Sequence, residues 1–132
     1  MNDRDHRIID AMKANDTQVG GKHYKSGYQH WDFVHDFQLD YFEGCATKYV
    51  TRRKGNRKED LAKARHFLVK RMELPSPANR SMDEGNLNRM VQSFCLSNRL
   101  TVREQLFLLA VVGRHYKAAL EQLDALINED GW

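Results

Sequence analysis

Two cysteines, Cys45 and Cys95, and two prolines, Pro75 and Pro77, are all that the 132 residues contain. Two thiols cannot build a disulfide framework or a four-cysteine zinc site, so the chain reads as a reduced, cytoplasmic protein. No apolar run reaches the ~18 residues that a membrane span needs. The longest candidate, Leu106 to Gly113, reads as a core helix segment. The opening Met1-Asn2-Asp3-Arg4-Asp5 carries no apolar signal stretch. Familiar nucleotide and metal motifs are missing as well. Gly20-Gly21-Lys22 lacks the spacer and the hydroxyl residue of a Walker loop, and neither GxGxxG nor HExxH occurs. The histidines at 6, 23, 30, 35, 66 and 115 never stand four apart on one helix, so no metal site is expected. No nucleophile elbow is present. Without strand-period stretches, internal repeats or low-complexity tracts, the fold class is all-α.

What is there begins with ordinary globular usage, 41% hydrophobic and 30% charged, enough for a core. The charge is uneven. Lys48 to Arg71 holds ten Lys/Arg and two Asp/Glu, a local +8, so with a total of +3 the remainder sums to −5. Such asymmetry points to an anionic partner: a phosphate, a nucleotide or a nucleic acid.

Residues 1–18 read as a short N-terminal helical arm. Residues 19–74 read as a helical domain, 75–82 as a linker around the two prolines, and 83–132 as a C-terminal helical element. Trp31, Phe33, Val34 and Phe37 predict a two-turn helix. Asp40 is the expected N-cap of a helix to about Arg53, and Lys54-Gly55-Asn56 the turn into a second helix, Arg57 to Leu74. Leu61, Ala64, Leu68 and Met72 form its apolar stripe. A third helix is expected over Asp83 to Ser97. Thr101 with Glu104 makes a capping box for one long helix running to about Asn128. Along it Val102, Leu106, Leu109, Gly113, Tyr116, Leu120, Leu123 and Ile127 keep a seven-residue repeat, the seam of a helix–helix contact. That seam predicts either a homo-oligomer or packing within one small bundle.

Gly44, Lys48 and Arg52 stand at i, i+4 and i+8, on one helical face. A tight turn at Lys54 would bring Lys63 and Asp60 of the next helix near them. Arginine offers a planar fork and lysine a point charge, which suits phosphate. Tyr28 and Trp31 are candidates to stack on a base, and Cys45 and Cys95 are expected to pack as small hydrophobes.

The set His23-Tyr24, Trp31-Asp32-Phe33, Gly44, Lys48-Tyr49, Arg52, Lys54-Gly55 and Asp60-Leu61-x-Lys63-Ala64 resembles a small domain family of bacteriophage genomes over residues 19–72. That family includes nucleotide kinases of T7-like coliphages that lack a Walker loop. Cys45 departs from the family's asparagine. The resemblance implies an infected bacterial cell as the setting and a phosphorylated nucleoside as the ligand. The implied site is His23, Tyr24, Gly44, Lys48, Arg52, Lys54, Asp60 and Lys63.

Three readings follow. The first is a protein that sequesters a host nucleotide signal, one made for defence, without turnover. The second is a deoxynucleoside monophosphate kinase, which requires ATP and magnesium and uses Lys48, Arg52 and Asp60 as catalytic groups, with carboxylates drawn from Asp32, Asp36, Glu43 and Asp60. The third and least favoured is a nucleic-acid or protein-binding module.

Overall fold

The computed structural model describes residues 27–77 and 82–129; the expected helical arm and the site residues His23 and Tyr24 lie outside them. The described residues form six α-helices and no strand: α1 (His30–Asp36), α2 (Tyr41–Thr51), α3 (Arg57–Glu73), α4 (Glu84–Ser97), α5 (Val102–Val112) and α6 (Tyr116–Glu129). No helix among them is long and apolar enough to cross a membrane.

The helix starts are where local chemistry places them. Asp40 accepts the Glu43 amide at 2.8 Å, Asn56 accepts that of Glu59 at 3.0 Å, and Thr101 accepts that of Glu104 at 3.2 Å. Each removes one of the amides that a helix start leaves unpaired. The stops after α1, α4 and α5 share a different device. Gln38, Arg99 and Arg114 take left-handed backbone (φ +53°, +55° and +61°). The next amide then bonds back five residues, Leu39 to Val34, Leu100 to Cys95 and His115 to Ala110.

The last of these stops corrects the sequence reading. The expected single helix from Thr101 to Asn128 is two helices, broken at 113–115. A β-carbon on Gly113 would come within 2.9 Å of the His115 ring and 3.2 Å of the Leu109 carbonyl, so a larger residue there would have to turn the exposed His115 ring aside and press on the carbonyl. α6 then folds back along α5, and Arg103 near the start of α5 pairs with Glu129 at the end of α6. The seven-residue seam does not survive as one surface. Val102 and Leu106 of the seam are exposed, while Phe107, Leu108, Val111 and Val112 are buried.

α2 and α3 form the other antiparallel pair, joined by the turn at Lys54-Gly55-Asn56, where Gly55 has φ +88°. α3 packs on α6 and α2 on α5, so the helices before and after 75–82 share one core. Phe33 anchors α1 in it, 4.4 Å from Phe94 and 4.6 Å from Phe37 between ring centres. Cys95 is buried there, as expected, and burial pushes its thiol up to about 11.

Candidate functional site: the hollow between α1 and α2

The basic segment is partly offset by the rest of the chain, four of whose carboxylates, Asp40, Glu73, Glu104 and Asp124, meet five of its cations. Arg53 and Arg57 both bind Glu104, at 2.7 and 2.8 Å, and Arg71 binds Asp40. Arg65 pairs with Asp124 at 2.7 Å, Lys63 with Glu59 at 3.2 Å and Lys70 with Glu73 at 3.9 Å. Arg52 lies 3.6 Å from Asp60. Seven of the ten basic residues therefore face a carboxylate. Among the described residues, Lys48 has none.

α2 keeps Gly44, Lys48 and Arg52 on its outward side, as their spacing predicts, but their surroundings differ. Arg52 turns to the helix end, where its Nε donates to the Lys54 carbonyl at 3.1 Å and lies against Gly55. It clamps the α2–α3 turn. Asp60 is buried beneath it; its Oδ2 has no hydrogen-bond partner among the described residues and is held by the arginine's charge alone. Lys63 does come near Lys48, since both ammonium groups lie over the Tyr49 ring, at 5.5 and 5.2 Å from its centre. Lys54 is exposed. The predicted cleft thus divides into a structural turn (Arg52, Lys54, Asp60) and a separate hollow holding Gly44 and Lys48.

That hollow, about 250 Å³, is lined by His30, Val34, Leu39, Asp40, Tyr41, Gly44, Cys45 and Lys48. A β-carbon on Gly44 would meet only the Val34 methyls, at 3.7 and 3.9 Å, so packing between α1 and α2 does not demand glycine. Cys45 is partly exposed at the wall rather than packed in the core.

His30 was not singled out from the sequence. Its Nε2 lies 2.8 Å from the Thr47 hydroxyl. Thr47 gives its own hydrogen to a backbone carbonyl, with Glu43 O at 2.9 Å. His30 Nε2 is therefore the protonated nitrogen. Burial, with the Lys48 charge added, lowers the His30 pKa to about 4. At neutral pH the hollow therefore offers an uncharged imidazole beside one ammonium. Asp40 is fully committed: Oδ1 caps the Glu43 amide and Oδ2 accepts from Arg71. The arrangement can hold one anionic group at Lys48 and an apolar or aromatic body against Val34, Leu39 and Tyr41.

The stacking candidates part company. The Tyr28 ring stands edge-on to Phe94 at 5.2 Å, and its hydroxyl donates to Asp36 at 2.8 Å. Burial and Asp36 raise its pKa. It is half-buried and packs against the core. Trp31 is 54% exposed and lines a second hollow of about 630 Å³ with His35, Asp36 and Gln38; Val34 and Leu39 border both hollows.

The carboxylates required for metal chemistry do not meet. Among the described residues no three His, Cys, Asp or Glu side chains converge. Glu43 is fully buried instead. It accepts from the Tyr116 hydroxyl at 2.6 Å and from the Asp40 amide at 3.0 Å, with Arg114 Nε 3.8 Å away. Against protein-family models, curated proteins and solved structures alike, the chain finds no match.

Proposed function

We propose that this chain binds a phosphorylated nucleoside in the hollow between α1 and α2 and holds it without turnover. The observation that carries the reading is the charge of Lys48. In a segment where most cations are matched by carboxylates, this one has no carboxylate partner among the described residues, on the rim of a largely apolar hollow whose one carboxylate, Asp40, is already taken up by Arg71 and the Glu43 amide. An ammonium there attracts a phosphate, and a neutral His30 neither repels nor competes with it. Pockets for whole small ligands run from about 300 Å³ upward, so a hollow of about 250 Å³ takes part of a nucleotide and leaves the rest at its mouth. The resemblance to phage nucleotide proteins, from which His23 and Tyr24 come as further candidates, agrees with this ligand. It suggests sequestration of a host signal.

The dispersal of Asp36, Glu43 and Asp60 favours binding over phosphoryl transfer. Asp36 engages Tyr28, Glu43 engages Tyr116, and Asp60 faces Arg52. A kinase needs such groups around one metal-bound phosphate. The test is to incubate the protein with magnesium, ATP and a panel of nucleoside monophosphates and signalling nucleotides. The filtrate and the heat-released fraction then go to mass spectrometry. An unaltered nucleotide released only by heat is expected, with affinity at least tenfold lower in Lys48→Ala. A new nucleoside diphosphate would establish the kinase reading instead. Retention of no nucleotide at all would overturn the reading.

A further inference from the structure

Along the α2 ridge, sharing Tyr41 and Lys48 with the hollow, lies a shelf of aromatic rings. Tyr41, 68% exposed, forms the ridge itself and lines the hollow. Its ring is set edge-on by two neighbours, Phe42 at 5.4 Å (84°) and Phe67 at 5.9 Å (77°). Phe67 of α3 in turn lies nearly parallel to Tyr49, at 10° and 6.0 Å. Two ammonium groups flank the Tyr49 ring, Lys48 at 5.2 Å and Lys63 at 5.5 Å from its centre. Tyr49 and Phe67 are both partly exposed.

Tyr41 is the exposed ring of the group, while Tyr49 and Phe67 pack against the core and keep only part of their surface open. Here edge-on neighbours hold the rings in place, so little side-chain freedom is lost when something stacks on them. The lysines fix the charge of the occupant. Lys48 has no carboxylate partner among the described residues. The Glu59 partner of Lys63 is 62% exposed and four residues away on the same helix, an ion pair of the weak, displaceable kind. Flat rings alternating with displaceable cations match a chain of bases and phosphates, since every base has a face to stack and every linkage a charge.

We infer that the hollow and the shelf are adjoining subsites, joined at Tyr41 and Lys48, for a short single-stranded oligonucleotide rather than a mononucleotide. This rests on the nucleotide reading of the hollow and extends it. One nucleotide occupies the hollow with its phosphate at Lys48. The next base stacks on the Tyr41–Phe67–Tyr49 shelf with its phosphate near Lys63.

Equilibrium binding of dTMP and dAMP, set beside fluorescein-labelled (dT)4 and (dA)4, tests it on the whole chain. The tetranucleotides are expected to bind at least tenfold more tightly than the mononucleotides. Lys63→Ala and Tyr49→Leu, checked for folding by circular dichroism, should lower tetranucleotide affinity at least fivefold, toward that of the mononucleotides. Equal affinity for both lengths overturns the second subsite and leaves the hollow standing. A length effect that survives both substitutions also overturns it, because the added contacts then lie elsewhere. Failure to bind any of the four overturns the oligonucleotide inference, and the nucleotide reading falls with it only when the wider panel above is not retained either.

Discussion

Glu43 and Glu104 begin as the same residue. Each is the third residue of a capping box, returning a hydrogen bond to its own N-cap amide, Asp40 at 3.0 Å and Thr101 at 2.8 Å. Each is buried, at 0% and 1% exposure. Their second partners differ. Glu104 receives three arginine hydrogen bonds, two from Arg53 and one from Arg57. Glu43 receives one phenol, Tyr116, while Arg114 stays 3.8 Å off with Nε and Nη1 unpartnered among the described residues. A local motif therefore sets where a helix begins, and the rest of the fold decides whether the same carboxylate takes two arginines in close hydrogen bonds or a phenol with an arginine at 3.8 Å. Both are joints: Glu104 ties the α2–α3 turn to α5, and Glu43 ties α2 to α6.

Removing the two-arginine joint should cost most. Glu104→Ala leaves two guanidinium groups beside an empty pocket. Because Arg53 and Arg57 keep 39% and 29% of their exposure, the loss should fall at the low end for a broken buried pair, about 3 kcal/mol by urea unfolding. Acid should weaken the same joint. Burial pushes the Glu104 pKa up, but the Arg53 and Thr101 hydrogen bonds and the charges of Arg53 and Arg57 outweigh it, and the net shift is downward. Its contribution is thus present above the ordinary glutamate range and lost as pH falls through the lowered folded value.

His30 titrates in a different window. Its folded pKa of about 4 lies below the ordinary 6.5, so the unfolded chain takes up the proton first. Stability should fall between pH 6.5 and about 4, by at most about 1.4 kcal/mol per pH unit. His30→Gln should flatten that window and leave the loss at lower pH from Glu104. The phenol joint is smaller: Tyr116→Phe should cost about 1–2 kcal/mol, since Glu43 Oε2 loses its donor in a buried place. An equal loss in Tyr116→Phe and Glu104→Ala would erase the distinction between the two glutamates. The smallest effect has the opposite sign. Gly44→Ala meets only the Val34 methyls and should raise stability by roughly 0.5–1 kcal/mol. It should also weaken nucleotide binding if the ligand lies against that helix face, separating fold from function in one variant.

Much of the fold was legible because it is written locally. Asp40, Thr101 with Glu104, and the turn at Gly55 all act within four residues of themselves. The break at 113–115 was not legible, because the residue in left-handed conformation is Arg114, a residue type that gives no sign of it. With the helix read as continuous, the apolar repeat was laid across a turn. Leu108, Val111 and Val112, which lie outside that repeat, are among the residues that α5 buries. At the site, Gly44 and Lys48 were found by helical spacing. The pairing of the basic segment was not, since Arg53 meets Glu104 across 51 residues and Arg65 meets Asp124 across 59. His30 was missed for the same reason: its partner Thr47 sits one helix away.

The reversal at Arg114 has a consequence for assembly. The turn is three residues long and its left-handed residue carries a β-carbon, so straightening it relieves local strain. Run straight, residues 102–129 make one rod whose far half no longer reaches its own bundle. The surface that α6 covers on α3 and α5 would then be open to the α6 of a second molecule, and two chains exchanging this helix would remake every contact described for one.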